Sequence, residues 1–160
     1  MKIQKVEHNY NKLKEILGWS VDKRVTLSLA GYYTSLEKDV DSVRFNKIKE
    51  ILKNRVSVFS PLRSHLQPLF TSVLDVSGQE PEEAIDQLLL KVEELKKKSF
   101  KMNDYTYVAA LMMSDESDKW DFEISRAMEL MSAMKVHHRF LTNSDDYPFA
   151  IFLGKLEGDI

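Results

Sequence analysis

The chain has 160 residues, 43% of them hydrophobic and 30% charged, with a formal net charge of −2. That is enough apolar material for one sizeable core or for two packed halves. The absence of cysteine excludes disulfides, thiolate metal sites and a cysteine nucleophile, and the longest apolar runs, such as Val108 to Met113, are far too short to cross a bilayer.

Helical periodicity runs through most of the sequence. Val6, Tyr10, Leu13, Ile16 and Leu17 recur at three- and four-residue steps and predict an amphipathic helix that stops at Gly18. A second helix is expected over about Val21 to Leu36, and a third after Asp41-Ser42, with Phe45, Ile48, Ile51, Leu52 and Val56 on one side. Phe59-Ser-Pro61 breaks it, because proline disfavours helix in the residue before it. Ser64-His-Leu-Gln67 then reads as a capping box opening a fourth helix through Val76.

The second half carries similar punctuation. Pro81 suits a first helical turn, with Glu82 and Glu83 at the positive end of that helix and Lys96-Lys-Lys98 at its negative end. Asn103 or Asp104 can cap a helix from Tyr105 to Met113, and Asp115 to Asp118 forms a polar loop. Trp120, Ile124, Ala127, Met128, Met131 and Met134 mark the next helix. Thr142 to Asp146 ends it and caps a last one, which stops near Gly154 to Gly158. No alternating strand pattern competes.

The two halves echo one another at about 80 residues: Thr26-Leu-Ser-Leu-Ala30 by Thr106-Tyr-Val-Ala-Ala110, and Phe59 to Pro68 by Phe140 to Pro148. The expected fold is therefore all-α: about eight helices in one helical domain, built from two four-helix repeat units, 1–80 and 81–160, as a short α-solenoid or stacked hairpins. Phe45, Ile48, Leu52, Leu89, Val92, Ala109, Ile124, Met128 and Met131 are the expected core, each on one helical face. The methionines in the second half could instead line a promiscuous groove, and one tyrosine of each pair, Tyr32-Tyr33 and Tyr105/Tyr107, could face a concave surface.

Trp19-Ser-Val-Asp-Lys-Arg24, Phe59-Ser-Pro-Leu-Arg-Ser64, Glu80-Pro-Glu-Glu-Ala84 and Leu141 to Pro148 together resemble, over nearly the whole chain and in order, the family catalogued as domain of unknown function 4003. The resemblance implies a bacterial protein of Gram-positive origin and carries no activity with it. Members of that family tend to be longer, which implies a short member or a fragment. Glu157-Gly-Asp-Ile160, where a further helix could begin, is compatible with the second.

Two loops concentrate polar chemistry. Arg63, Ser64 and His65 stand where a helix starts, so backbone N–H groups and a guanidinium could hold a small anion or phosphate. Ser64 beside His65 also invites a nucleophile–base reading, but consecutive residues rarely align in that way and no orienting acid is evident. Asn143, Asp145, Asp146 and Tyr147 form the matching loop. With His137 and His138 nearby, its carboxylates could ligate a divalent metal; equally, carboxylates at a helix start are stabilised by exposed N–H groups alone. Adjacent helical residues diverge by about 100°, which favours capping over a shared ion. An Arg63–Asp145 or Arg63–Asp146 contact, with both loops on one edge of the stack, is expected on the repeat argument.

No P-loop, dinucleotide fingerprint, zinc-protease or kinase motif occurs, and no cofactor is expected. Residues 1–80 carry 13 Lys and Arg against 9 Asp and Glu, and residues 81–160 carry 10 against 16, so the halves stand at +4 and −6. Such asymmetry suits contact between unlike halves, within or between chains, although solvated helix faces drift in charge as well. The expected function is a non-enzymatic protein-interaction module that binds a protein segment or a second copy. The alternative is an enzyme or a small-anion or metal binder using the Arg63/His65 and Asp145/Asp146 loops. Nucleic acid is not expected, because the basic half is only mildly basic and lacks an aromatic-basic motif. With no apolar N-terminal stretch resembling a signal peptide and no spanning segment, membrane insertion is not expected and the expected address is cytoplasmic.

Overall fold

The computed structural model describes residues 2–156, and it is all-helical: 76% helical, in eight α-helices and short 3₁₀ turns, with no strand among the described residues. In order these are α1 (Lys2–Leu17), α2 (Lys23–Ser35), α3 (Ser42–Arg55), α4 (Gln67–Ser77), α5 (Pro81–Lys97), α6 (Asp104–Met112), α7 (Trp120–His137) and α8 (Tyr147–Gly154). Short 3₁₀ turns precede α2, α4, α7 and α8. No helix among the described residues is long and apolar enough to cross a membrane. The expected helix start at Glu157 to Ile160 lies outside the described residues.

Local chemistry sets most boundaries. Asp22 accepts from the Arg24 N–H, Asp41 from Val43 and Arg44, and Asn103 from Tyr105 and Thr106, each satisfying amides that a helix start leaves orphaned. Gly18 and Gly78 stop α1 and α4 at φ +65° and +75°. Two other stops use residues that pay for a left-handed backbone. Glu37 (φ 57°) and Ser99 (φ 66°) each let the next amide reach back to close the helix, Lys38 N–H to Tyr33 at 3.0 Å and Phe100 N–H to Leu95 at 3.1 Å. The Ser64 capping box does not open α4. That helix starts at Gln67 without a side-chain cap, and Ser64 Oγ is held in the preceding turn, donating to the Pro61 carbonyl and accepting from Leu66 N–H.

Contacts divide the chain into two compact units, Met1–Ile85 and Asp86–Ile160, so α5 begins in the first and continues in the second. In the first unit α1 packs on α2 and α3, and α4 on α2 and α3. Leu13, Leu29, Ala30, Tyr33, Val40 and Phe45 form the centre of its core. Asn9, wholly buried, donates to Thr34 Oγ1 and the Lys38 carbonyl and accepts from Val40 N–H, which fixes the α2–α3 loop. In the second unit α8 packs on both α6 and α7. A Cβ at Gly154 would stand 2.8 Å from the Glu123 carbonyl oxygen, so the α7–α8 approach admits glycine alone. Buried Lys91 donates to the Met113 carbonyl at 3.2 Å and to Asp115 at 2.9 Å; Glu123 accepts from Ser114 N–H, and Trp120 Nε1 donates to the Ser114 carbonyl. Three long side chains thus pin the loop that the sequence marks only as polar.

Phe45, Ile48, Leu52, Val92, Ala109, Ile124 and Met131 are buried as expected. Leu89 and Met128 are not. Leu89 is half-buried while Leu88 takes the interior position on α5, and Met128 is 44% exposed while Ala127 and Met131 face inward. In both helices the apolar run is wider than the buried face, so periodicity leaves the phase open by one residue.

Candidate functional site

The first unit contains a cavity of about 490 Å³ that takes in two of the residues singled out from sequence, Ser64 and His65. Leu17, Val21, Val25, Phe45 and Pro68 give it apolar walls. The polar groups at its margin are of two kinds. Some are already satisfied: Ser64 within its own turn, and Asp22 by the Arg24 guanidinium at 3.1 Å, which holds the Asp22 carboxyl below its ordinary range. Others are not. Lys49 makes no ion pair with a described residue. Thr71 is wholly buried, and its Oγ1 has no hydrogen-bond partner among the described residues. A helical threonine ordinarily returns its hydroxyl to a carbonyl one turn back, and leaving a buried hydroxyl unsatisfied costs about 1–3 kcal/mol.

Sequence reasoning found neither Lys49 nor Thr71. The signal was present in spacing: Thr71 lies one turn beyond Gln67 on α4, and Lys49 one turn beyond Phe45 on α3, both neighbours lining the same cavity. Arg63 is placed differently. Its Nη1 donates to the carbonyls of Lys53 at 3.0 Å and Val56 at 3.5 Å, tying the 3₁₀ turn to the end of α3. Ser64 Oγ donates to a backbone carbonyl and not to His65, which leaves no nucleophile–base pair there.

The second predicted loop is built as a cap. Asn143 accepts from Asp145 N–H at 3.1 Å while Asp146 accepts from Asn143 N–H at 3.0 Å, a reciprocal capping box for the turn before α8. Tyr147 packs against Phe100 with ring centroids 4.6 Å apart and planes tilted by 58°, and its hydroxyl accepts from Lys101 N–H. Ser144 accepts from Asn103 at 2.7 Å, so α8 is tied to the start of α6 by two separate bonds. Among the described residues no three His, Asp or Glu side chains gather as a metal site.

The most perturbed titratable group lies elsewhere, in the first unit's interior. Tyr33 Oη donates to Asp75 at 2.6 Å, and Arg44 Nε approaches the other carboxylate oxygen at 3.3 Å. Burial pushes the Asp75 carboxyl above its ordinary range; the Tyr33 hydrogen bond and the Arg44 charge oppose this without cancelling it. The Tyr33 phenol is raised by burial first and by the carboxylate second. Tyr33 is wholly buried and Asp75 is 7% exposed, which closes the pair to a substrate and makes it part of the fold.

A curated relative, titled "Uncharacterized protein YeaA", from Bacillus subtilis (strain 168), is 26% identical over 151 residues. The match covers 91% of this chain but 46% of the relative, so the chain spans under half the length of the protein it resembles. No solved structure matches. The family described as "Protein of unknown function (DUF4003)" matches residues 9–160, and the chain belongs to that family.

Proposed function

We propose that this protein is a non-enzymatic helical interaction module and that its partner is a second copy of itself, with α8 of one copy seated between α1 and α2 of the other. The observation that carries this reading is a groove of about 450 Å³ along α1 and α2, lined by Ile3, Val6, Tyr10 and Leu27. Ile3 is 82% exposed and Leu27 53%, more apolar surface than a helix pair leaves in water without use. Glu7, Lys23 and Arg24 are its charged lining; Arg24 is paired with Asp22, so Lys23 is the cation left for an acidic flank of the occupant.

The second unit offers such an occupant. Phe149, Phe152 and Leu156 recur at three- and four-residue steps and are each at least half exposed, and Asp145 and Asp146 stand just before them. This is helix-in-groove recognition, with the +4 and −6 halves supplying complementary charge between copies. One short helix in one groove buries less than the roughly 1,200–2,000 Å² of a stable interface, so affinity in the micromolar range or weaker follows.

Sedimentation velocity from about 10 μM to about 1 mM tests it, at low salt and at about 0.5 M, where screening shortens to a few ångströms. Average mass should rise with concentration at low salt, fall with added salt, and stay monomeric in Leu27→Asp and Phe152→Asp. A monomer throughout at low salt, or unchanged association in both variants, would overturn the reading.

A further inference from the structure

We propose that the cavity lined by Phe45, Lys49, His65, Gln67 and Thr71 is a binding site for a small monocarboxylate with an apolar body. The two ends of such a molecule correspond to the two kinds of lining already described. Leu17, Val21 and Phe45 offer a hydrocarbon surface, and the about 490 Å³ of space suits a molecule the size of a short fatty or aromatic acid. At the polar margin Lys49 brings one positive charge that no described residue neutralises, while the one carboxylate there, Asp22, is occupied by Arg24. One cation matches a singly charged anion. A phosphate dianion would need a second, and Arg63, adjacent to the lining residue Ser64, spends its Nη1 on two backbone carbonyls of the α3 end.

Thr71 is the independent observation. Its hydroxyl is wholly buried on a residue that lines this cavity and has no hydrogen-bond partner among the described residues, so it is a donor without an acceptor there. A carboxylate oxygen is such an acceptor, since an ionised carboxylate accepts and never donates. Gln67, which opens α4 and lines the cavity, adds a side-chain amide donor. His65 lines the cavity and is exposed.

Amide chemical-shift titration of the whole chain with hexanoate and benzoate tests the proposal, with 1-hexanol, benzyl alcohol and inorganic phosphate as controls. Wild type should show saturable shifts at Phe45, Gln67 and Thr71 with a carboxylate and at least about tenfold weaker response to the matching alcohol. Lys49→Met should abolish that preference for acid over alcohol. Thr71→Val, which keeps shape and removes the hydroxyl, should weaken the acid several-fold and the alcohol less. Lys49 is partly exposed, so its variant retains the fold and decides the question if Thr71→Val does not. No saturable shift with either acid, phosphate binding in their place, or an acid affinity unchanged in Lys49→Met would each overturn the proposal.

Discussion

The Tyr33 hydroxyl donates to the Asp75 carboxylate at 2.6 Å across 42 positions of sequence, joining α2 to α4 inside the first unit. Arg44 of α3 reaches the same aspartate and also the backbone carbonyls of Leu74 and Gln79, so three helices meet at one buried charge. Removing one member leaves the others buried and unsatisfied. Tyr33→Phe should therefore cost about 1–3 kcal/mol in urea unfolding, more than loss of an exposed hydroxyl would.

The same aspartate gives stability a pH dependence of defined sign. Its folded-state pKa is raised above the ordinary 3.8, so between that value and the raised one the folded chain holds a proton that the unfolded chain has released. Stability contributed by Asp75 then falls as pH rises through this window and stays lower above it. Asp75→Asn should flatten that part of the profile, measured by urea unfolding from about pH 4 to pH 7. An unchanged slope would place the proton elsewhere.

Glycines separate cleanly. Gly154→Ala forces a Cβ to 2.8 Å from the Glu123 carbonyl and 3.3 Å from Ala127 N, both backbone atoms that cannot swing away. A loss of about 1–3 kcal/mol is expected, read as a lower melting temperature. Gly31→Ala, inside α2 with nothing within 4 Å of the added carbon, should instead gain about 0.4–1 kcal/mol.

Two helix stops hold non-glycine residues in the left-handed region. Glu37→Gly and Ser99→Gly should each stabilise by a few tenths to about 1 kcal/mol, because glycine adopts φ 57° and 66° without its neighbours crowding a Cβ. Thermal unfolding of the single variants and of the pair checks this. The two sites stand in different units, so their effects should add.

Core truncations distinguish the interior from its margin. Leu52→Ala should cost about 2–5 kcal/mol, since Leu52 is wholly buried. Met128→Ala should stay within about 0.5 kcal/mol, because that side chain is 44% exposed. Chemical denaturation of both variants measures the difference.

Sequence alone determined the helical class, the eight helices and most of their ends. Those features are local: Asp22, Asp41 and Asn103 cap amides two or three residues away, Gly18 and Gly78 supply φ values that others resist, and Pro81 lacks an N–H where none is needed. It also marked the loop carrying Ser64 and His65 and recognised the Asn143–Asp146 element as a cap. Tertiary structure decided what distant side chains do. Lys91 and Glu123 read as solvated charges until Met113, Ser114 and Asp115 fold over them. Arg63 reads as an anion ligand until the end of α3 presents its free carbonyls. Leu88 and Leu89 are interchangeable by periodicity, and only the packing of the second unit buries one and leaves the other half-exposed. Thr71 is an ordinary helical threonine until a cavity forms beside it. Caps and periodicity act over one helical turn and are written in neighbouring residues; burial, pairing and cavities depend on residues tens of positions apart, whose meeting no local pattern records.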